Sequence, residues 1–161
     1  MLVKSLILAL AGLAALPSAM AAEPKATIAH KAILTLATAQ QIAAQARKAA
    51  AEKGWPCALA IVDDGGWPTL TTRMDGAPVV AGIELAQGKA RTSALFKRPS
   101  ADLENAINGG RQAAVTAGLL MMKGAQPIIL EGQVVGAIGI SADTPAHDDE
   151  IALAAVASVQ P

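Results

Sequence analysis

The amino-acid sequence predicts an α+β domain with an antiparallel sheet. Two turn segments, Asp63-Asp64-Gly65-Gly66 and Glu131-Gly132-Gln133, each separate two apolar runs and therefore predict two β-hairpins. Small and apolar residues at helical spacing before, between and after these hairpins predict helices. The predicted order is helix, two strands, two helices, three strands and a final helix.

The first helix and the first strand are well delimited. Residues 38–41, Thr-Ala-Gln-Gln, have the form of a capping box, and apolar residues at helical spacing follow them. Gly54 ends this helix and Pro56 prevents its resumption. Residues 57–62 form a continuous apolar run, which is typical of a strand buried on both faces.

The second strand and the next helix follow directly. Residues 69–74 alternate, so Arg73 is expected on the face opposite Leu70, Thr72 and Met74. Residues 79–97 predict a long helix with a stripe of small side chains that lets its backbone lie close to its neighbour. The stripe consists of Ala86, Ala90, Ser93 and Ala94.

The second half of the chain also contains capping residues and hairpin turns. Ser100 is expected to cap a shorter helix, and residues 115–122 are expected to form a strand. Residues 127–130 and 134–140 predict the second hairpin. Thr144 and Pro145 then cap and begin the last helix, whose first turn carries three acidic residues, favourable at the positive end of the helix dipole.

The beginning of the chain has the pattern of a secretory signal peptide. Lys4 precedes an apolar run over residues 6–16, and Ala19-Met20-Ala21 supplies a small-residue cleavage pattern. Eleven apolar residues are fewer than the roughly 20 that a membrane-spanning helix needs. We therefore expect residues 1–21 to be removed and residues 22–161 to form a single domain, periplasmic or secreted, with no stable membrane span.

Composition narrows the classes of function. The chain has 13 basic and 13 acidic residues, and loss of Lys4 leaves the mature form slightly acidic. This balance argues against DNA and RNA as partners, because their binding proteins carry a strong basic excess. Cys57 is the single cysteine, so no internal disulfide is possible. The absence of tyrosine excludes a tyrosinate metal ligand.

Five motifs occur in a fixed order along the chain. They are Asp64-Gly65-Gly66, Arg73-Met74-Asp75-Gly76-Ala77, Lys89-Ala90-Arg91-Thr92, Val135-Gly136-Ala137-Ile138-Gly139-Ile140-Ser141 and Asp148-Asp149-Glu150-Ile151-Ala152. Together they resemble the GlcG/HbpS family of haem-binding-like domains, also found as the C-terminal domain of PduO-type proteins. The resemblance covers about residues 33–159. It implies a profilin-like fold with a five-stranded antiparallel sheet, self-association into homo-oligomers and, for several members, haem binding; some members have been called haem-degrading. Ala125 and Ala142 stand where the family tends to have glycine, and both changes fall at loops.

Three cations are the candidate binding residues for haem or another anion. Arg73 has two interpretations: it braces the turn formed by Asp75 and Gly76, or it receives a haem propionate or a small carboxylate. Lys89 and Arg91 join the second interpretation, with the ammonium of Lys89 expected at a pocket rim. All three are expected to converge on one cavity.

Haem also needs an axial ligand, and the chain has only two histidines. His30 precedes the first helix and is the first candidate. His147 begins the last helix, where it is either solvated or a metal ligand together with Asp148. Cys57 is interpreted as a core residue, and an exposed Trp67 as an oligomer contact.

No sequence motif of a nucleophilic, phosphate-binding or dinucleotide-binding enzyme is present, so binding is favoured over catalysis. The leading hypothesis is an exported, self-assembling haem-binding protein for haem or iron storage, transport or sensing. A haem-degrading activity is left open, because it would take its chemistry from bound iron. The alternatives are an enzyme or carrier for small carboxylic acids without haem, and a purely structural assembly domain.

Overall fold

Four antiparallel strands form the sheet at the centre of the fold. The computed structural model describes residues 27–160, and its strands are β1 (Ala58–Asp63), β2 (Pro68–Arg73), β3 (Ala125–Leu130) and β4 (Gln133–Ser141). Their order across the sheet is β2-β1-β4-β3. Because β1 and β4 each have a partner on both sides, they are the buried central strands, which explains the continuous apolar run of β1.

Helices cover both faces of this sheet. They are α1 (Leu36–Lys53), α2 (Gly82–Phe96), α3 (Ser100–Asn108) and α4 (Pro145–Val156). Leu59 and Ile61 point into the larger core, which α1 and α4 close. Val62 points to the other face, where it packs on Ala90 of α2. Because successive side chains of β1 point to opposite faces of the sheet, this strand contributes to two separate cores.

The backbone of α2 lies directly on β4. A Cβ atom added to Gly139 would overlap the carbonyl oxygen of Ala86 and lie 2.7 Å from the backbone nitrogen of Ala90. The predicted close approach of the small-residue stripe is therefore confirmed. It depends on glycine in the strand as well as alanine in the helix, because a side chain on either side would separate the two backbones.

Both predicted hairpins are confirmed. The β1 and β2 strands pair across the turn at residues 63–66, where Gly66 has a φ of 77°. The β3 and β4 strands pair across Glu131 and Gly132, with φ values of 50° and 74°. Two consecutive positive φ values suit the right-handed twist of a two-residue hairpin.

The expected fifth strand is wrong. Within residues 27–160 the sheet has four strands. The segment predicted as a strand, residues 115–122, instead begins inside a 3-10 helix, Gln112–Ala117. Gly118 ends that helix in the left-handed conformation, with a φ of 67°. The following residues are held beside α2, where the hydroxyl of Thr92 donates to the carbonyl of Leu120. The α+β class with an antiparallel sheet is confirmed, with four strands.

Two helix caps also differ from expectation. Thr35, not Thr38, caps α1, and its hydroxyl accepts the backbone N–H of Thr38. Ser100 does not cap α3, because its hydroxyl accepts the backbone N–H of Ala125 at 2.9 Å and so attaches α3 to β3. The cap of α4 is confirmed: the Thr144 hydroxyl accepts the backbone N–H of His147.

Lys31 begins the compact unit to which all these elements belong, and residues 27–30 precede it. The predicted signal peptide and its cleavage point lie outside the described residues. Among the helices of residues 27–160, none combines the length and the apolar character needed to cross a membrane.

Candidate functional site

Lys89 is a buried partner of Asp148. Its ammonium nitrogen lies 2.5 Å from Oδ2 of Asp148 and donates to the carbonyl of Ile140 at 3.2 Å, and only 2% of the lysine is exposed. The other carboxylate oxygen accepts the backbone N–H of Ala142. Burial raises the pKa of Asp148, and the hydrogen bond from Lys89 opposes that shift. The expected position of the lysine at a pocket rim is therefore wrong.

Gly124 closes over this ion pair. Its φ is +115°, and an added Cβ would lie 2.5 Å from Cβ of Asp148 and 3.2 Å from the ammonium of Lys89. The two alanines expected to depart from the family pattern adjoin the ion pair, since Ala125 follows Gly124 and Ala142 donates to Asp148. The expectation that both lie in loops is wrong for Ala125, which is the first residue of β3. Side chains from α2 and α4 are thus joined where β3 begins and β4 ends.

Arg73 braces the turn that follows β2. Its Nη2 donates to the carbonyl of Ala77 at 2.9 Å, and Gly76 within the turn has a φ of 79°. The bracing role of Arg73 and the positive φ of Gly76 are confirmed, and within the turn the backbone N–H of Ala77 donates to the carbonyl of Met74. Arg73 is exposed, so the rest of its guanidinium is accessible to solvent. Its role toward an anionic ligand stays a prediction.

Arg91 lies at the opposite end of β2. Its Nη1 donates to the carbonyl of Gly66 at 3.2 Å, and its guanidinium carbon lies 5.5 Å from the centre of the Trp67 ring. The six residues of β2 separate this end from Arg73 by roughly 20 Å, at the rise expected of a strand. The three predicted cations therefore do not line one cavity, although the part of Arg91 in ligand binding also stays a prediction. Trp67 is exposed, as expected of an oligomer contact.

His147 belongs to an aromatic and acidic cluster that sequence reasoning did not foresee. Its ring stacks on Trp55 with 3.6 Å between ring centres and 7° between planes. Its Nδ1 lies 2.7 Å from Oδ1 of Asp143, and this hydrogen bond lowers the pKa of Asp143. An ionised carboxylate can only accept hydrogen bonds, so Nδ1 of His147 carries the proton that is shared with Asp143. In the neutral ring, Nε2 then bears the free lone pair.

The predicted metal pair of His147 and Asp148 is not brought together. Both oxygens of Asp148 bind elsewhere, and Asp143 is the carboxylate that contacts the histidine. Among residues 27–160, no three His, Cys, Asp or Glu side chains converge on a position that could hold a metal ion. His30 is exposed in the segment before the compact unit, and its role stays a prediction.

An apolar cavity lies where α2 ends, between α3 and the 3-10 helix. Its volume is about 240 Å³. The lining residues are Phe96, Leu103, Ala106, Arg111, Ala113, Ala114, Thr116, Ala117 and Met121. Sequence reasoning missed this cavity because it treated the following segment as a strand. The available signal was one arginine, Arg111, beside an alanine-rich run without strand alternation.

Cys57 is a core residue, as the sequence predicted. It is fully buried, and its Sγ lies 3.8 Å from Sδ of Met74. Burial, reinforced by the nearby charge of Asp148, raises the pKa of the Cys57 thiol to about 11. The residue therefore stays protonated near neutral pH, which makes it a poor nucleophile and a poor metal ligand.

Comparison with known proteins agrees with this architecture. The family described as "Haem degrading protein HbpS-like" matches residues 34–157. Protein GlcG of Escherichia coli K12 is 41% identical over 113 residues, covering 69% of this chain and 83% of GlcG.

Two solved structures show the same fold. A Streptomyces reticuli HbpS double mutant is 28% identical with a TM-score of 0.75, covering 88% of this chain and 99% of that one. PduOC in complex with haem is 26% identical with a TM-score of 0.71, covering 80% of this chain and 96% of that one. The chain therefore belongs to the HbpS-like family, and GlcG is one of its relatives.

Proposed function

We propose that this protein binds haem and serves in its storage, transport or sensing. The observation that carries the proposal is the likeness to PduOC, a structure of which contains haem and whose fold extends over 80% of this chain. The family description, with its reference to haem degradation, supports the same ligand. Bound haem would supply the redox chemistry, and the protein's part would be to bind and orient it.

The donor groups of the described residues fit this ligand. Haem requires an axial nitrogen, sulfur or oxygen donor, and its propionates require cations. His147 has an imidazole nitrogen that is not bound to Asp143. Arg73 and Arg91 are exposed or half-buried guanidinium groups able to bind a carboxylate bidentately.

Titration with haemin tests the proposal. We expect the purified protein to develop a Soret band that saturates at a fixed ratio of haemin to protein. Arg73→Ala or Arg91→Ala should weaken binding by about two- to five-fold, the loss of an exposed ion pair. Because the two arginines lie at opposite ends of β2, one bound haem should depend on only one of them. Arg47→Ala, which removes an exposed arginine from α1, is the matched control and should bind normally. A protein that develops no saturable Soret band contradicts the proposal.

The cavity beside α3 favours a second candidate, a small carboxylic acid. Its volume of about 240 Å³ is below the 300–1,000 Å³ of typical pockets for larger ligands, so a short chain is a better fit than haem. Arg111 lines the cavity and would pair with a carboxylate, while Phe96 and Leu103 contact an apolar tail. Short monocarboxylic acids should raise the melting temperature of the wild type but not of Arg111→Ala. Arg98→Ala is the control, and an equal response in all three proteins contradicts this candidate.

We also propose that the protein self-assembles. Leu95 and Phe96 at the end of α2 and Val115 of the 3-10 helix expose large apolar side chains. Light scattering coupled to gel filtration should show an oligomer that Leu95→Glu weakens. An oligomer without any response to haemin or acids would support the structural alternative, a domain that serves assembly alone.

Export is the last part of the proposal and is supported by the sequence of residues 1–21. Mass spectrometry of protein recovered from the periplasm or the medium should show a chain beginning at residue 22 or 23. Recovery of the intact chain from the cytoplasm alone would contradict it.

A further inference from the structure

We infer that Nε2 of His147 is the axial ligand to haem iron; this assignment rests on the proposed function. The two histidines of the chain are the only imidazole donors. Cys57, the single thiol of the chain, is buried and protonated, and Met121 is buried as well. The choice of imidazole is therefore between His30 and His147.

The hydrogen bond from Asp143 prepares His147 for this role. Iron-bound histidines almost always donate their second ring N–H to a carboxylate or carbonyl, which fixes the tautomer and makes the bound nitrogen more basic. Here Nδ1 donates to Asp143 at 2.7 Å, which leaves Nε2 as the nitrogen with a free lone pair. The side chain of His147 is 30% exposed, so solvent and ligands can reach part of the ring.

Trp55 fixes the plane of the imidazole. The two rings are nearly parallel, 3.6 Å apart, and Lys53 lies on the indole at 4.9 Å from its centre. The backbone N–H of Trp55 donates to the carbonyl of Ala50, which anchors the indole to the end of α1. The imidazole is thus oriented before any ligand binds, which reduces the conformational entropy that binding would cost.

A cation for a propionate lies at the same end of the sheet. Ala58 pairs with Arg73 on one side and with Ser141 on the other. Strand spacing places Arg73 roughly 10 Å from Ser141, the last residue of β4, and His147 follows in the first turn of α4. Arg91 lies beyond the other end of β2, so Arg73 is the better propionate partner of a haem held by His147.

The experiment compares haemin complexes of the wild type, His147→Ala and His30→Ala by absorption and electron paramagnetic resonance. His30→Ala should keep the wild-type spectrum. His147→Ala should lose the signature of nitrogen ligation, and added imidazole should restore it by occupying the vacated position. His147→Gln serves if the alanine variant fails to fold, which circular dichroism checks.

Asp143→Asn provides a readout that a merely structural role would not produce. Removal of the carboxylate makes Nε2 less basic, so the reduction potential of the bound iron should become more positive while binding persists. If the wild type binds haemin but Asp143→Asn leaves the reduction potential unaltered, the assignment of His147 is overturned and the proposed function is not. The same holds if neither His147 variant changes the spectrum. Loss of the spectrum in His30→Ala instead of His147→Ala also overturns it. A wild type that takes up no haemin overturns the proposed function itself.

Discussion

The ammonium of Lys89 and the carboxylate of Asp148 meet at 2.5 Å inside the protein, and neither side chain is more than 6% exposed. The pair joins α2 to α4 across the end of the central strands. The pair holds the ammonium of Lys89 in the interior, and the role of this lysine toward an anionic ligand stays a prediction. The ion pair itself contributes to the arrangement of α2 and α4.

We expect removal of one partner of this pair to be strongly destabilising. Lys89→Met leaves a carboxylate buried without its counter-charge, which typically costs about 3–5 kcal/mol of unfolding free energy. The double variant Lys89→Met/Asp148→Leu should recover much of that loss, because no unpaired charge remains. Denaturant unfolding measures both. Lys48→Met, which breaks an exposed pair with Glu52, is the control and should change stability by less than about 1 kcal/mol. Equal losses at both lysines would contradict the prediction.

Gly139→Ala should prevent normal packing of α2 on β4. The added methyl group would overlap the backbone of Ala86, and backbone cannot move aside as a flexible side chain can. We expect a loss above about 3 kcal/mol, or no folded protein. Gly132→Ala is the comparison: its φ of +74° is unfavourable for alanine, but no atom lies within 4 Å of the new Cβ. That variant should lose only about 1 kcal/mol. The prediction fails if the two variants unfold at the same denaturant concentration.

Because the pKa of the Cys57 thiol is raised in the folded protein, we expect the protein to lose stability at alkaline pH. The unfolded thiol ionises near its ordinary pKa of 9.0, whereas the folded thiol holds its proton to about 11. Between these values the folded state binds more protons, so the unfolding free energy falls as pH rises, by about 1–3 kcal/mol.

Chemical unfolding at pH 8 and pH 10.5 measures this effect, with Cys57→Ala as the control. The chain contains no tyrosine that would titrate in the same range. The difference in stability between the wild type and Cys57→Ala should therefore shrink toward pH 10.5. A constant difference would show that the thiol ionises equally in both states.

Arg91 and Trp67 should be energetically coupled. The guanidinium lies on the exposed indole, an arrangement that contributes about 0.5–1 kcal/mol at a surface site. A double-mutant cycle with Arg91→Ala and Trp67→Ala measures the coupling from unfolding free energies. Arg73 paired with Trp67 in a second cycle is the control and should give no coupling, since the two lie at opposite ends of β2.

Sequence reasoning succeeded where one local pattern dictates the structure. Both hairpins, the cap of α4 and the stripe of small residues on α2 follow from turn residues, side-chain capping and periodicity within a few positions of the chain. It failed at residues 115–122 because a short apolar run has no period that separates a strand from an irregular segment lying on a helix. It also placed the cap of α1 three residues late, since Thr35 and Thr38 carry equivalent hydroxyls.

The candidate site was less predictable than the fold. Lys89 and Asp148 are 59 residues apart, and Trp55 and His147 are 92 apart, so neither contact has a local signature. His147 was identified as a metal candidate from the sequence, but its partner was assigned to the adjacent Asp148. On a helix N-terminus, the residue four positions earlier can reach the imidazole while the next residue points into the core.

The sequence alone determined the α+β class, the two hairpins, the small-residue helix and the membership of a haem-related family. Each of these follows from hydrophobic periodicity, from turn residues or from motifs in a fixed order. Only the tertiary structure decided which charges are buried, which are exposed and which meet. Those outcomes depend on contacts between distant segments, where the desolvation of Lys89 is offset by Asp148 and the imidazole of His147 is oriented by Trp55 and Asp143.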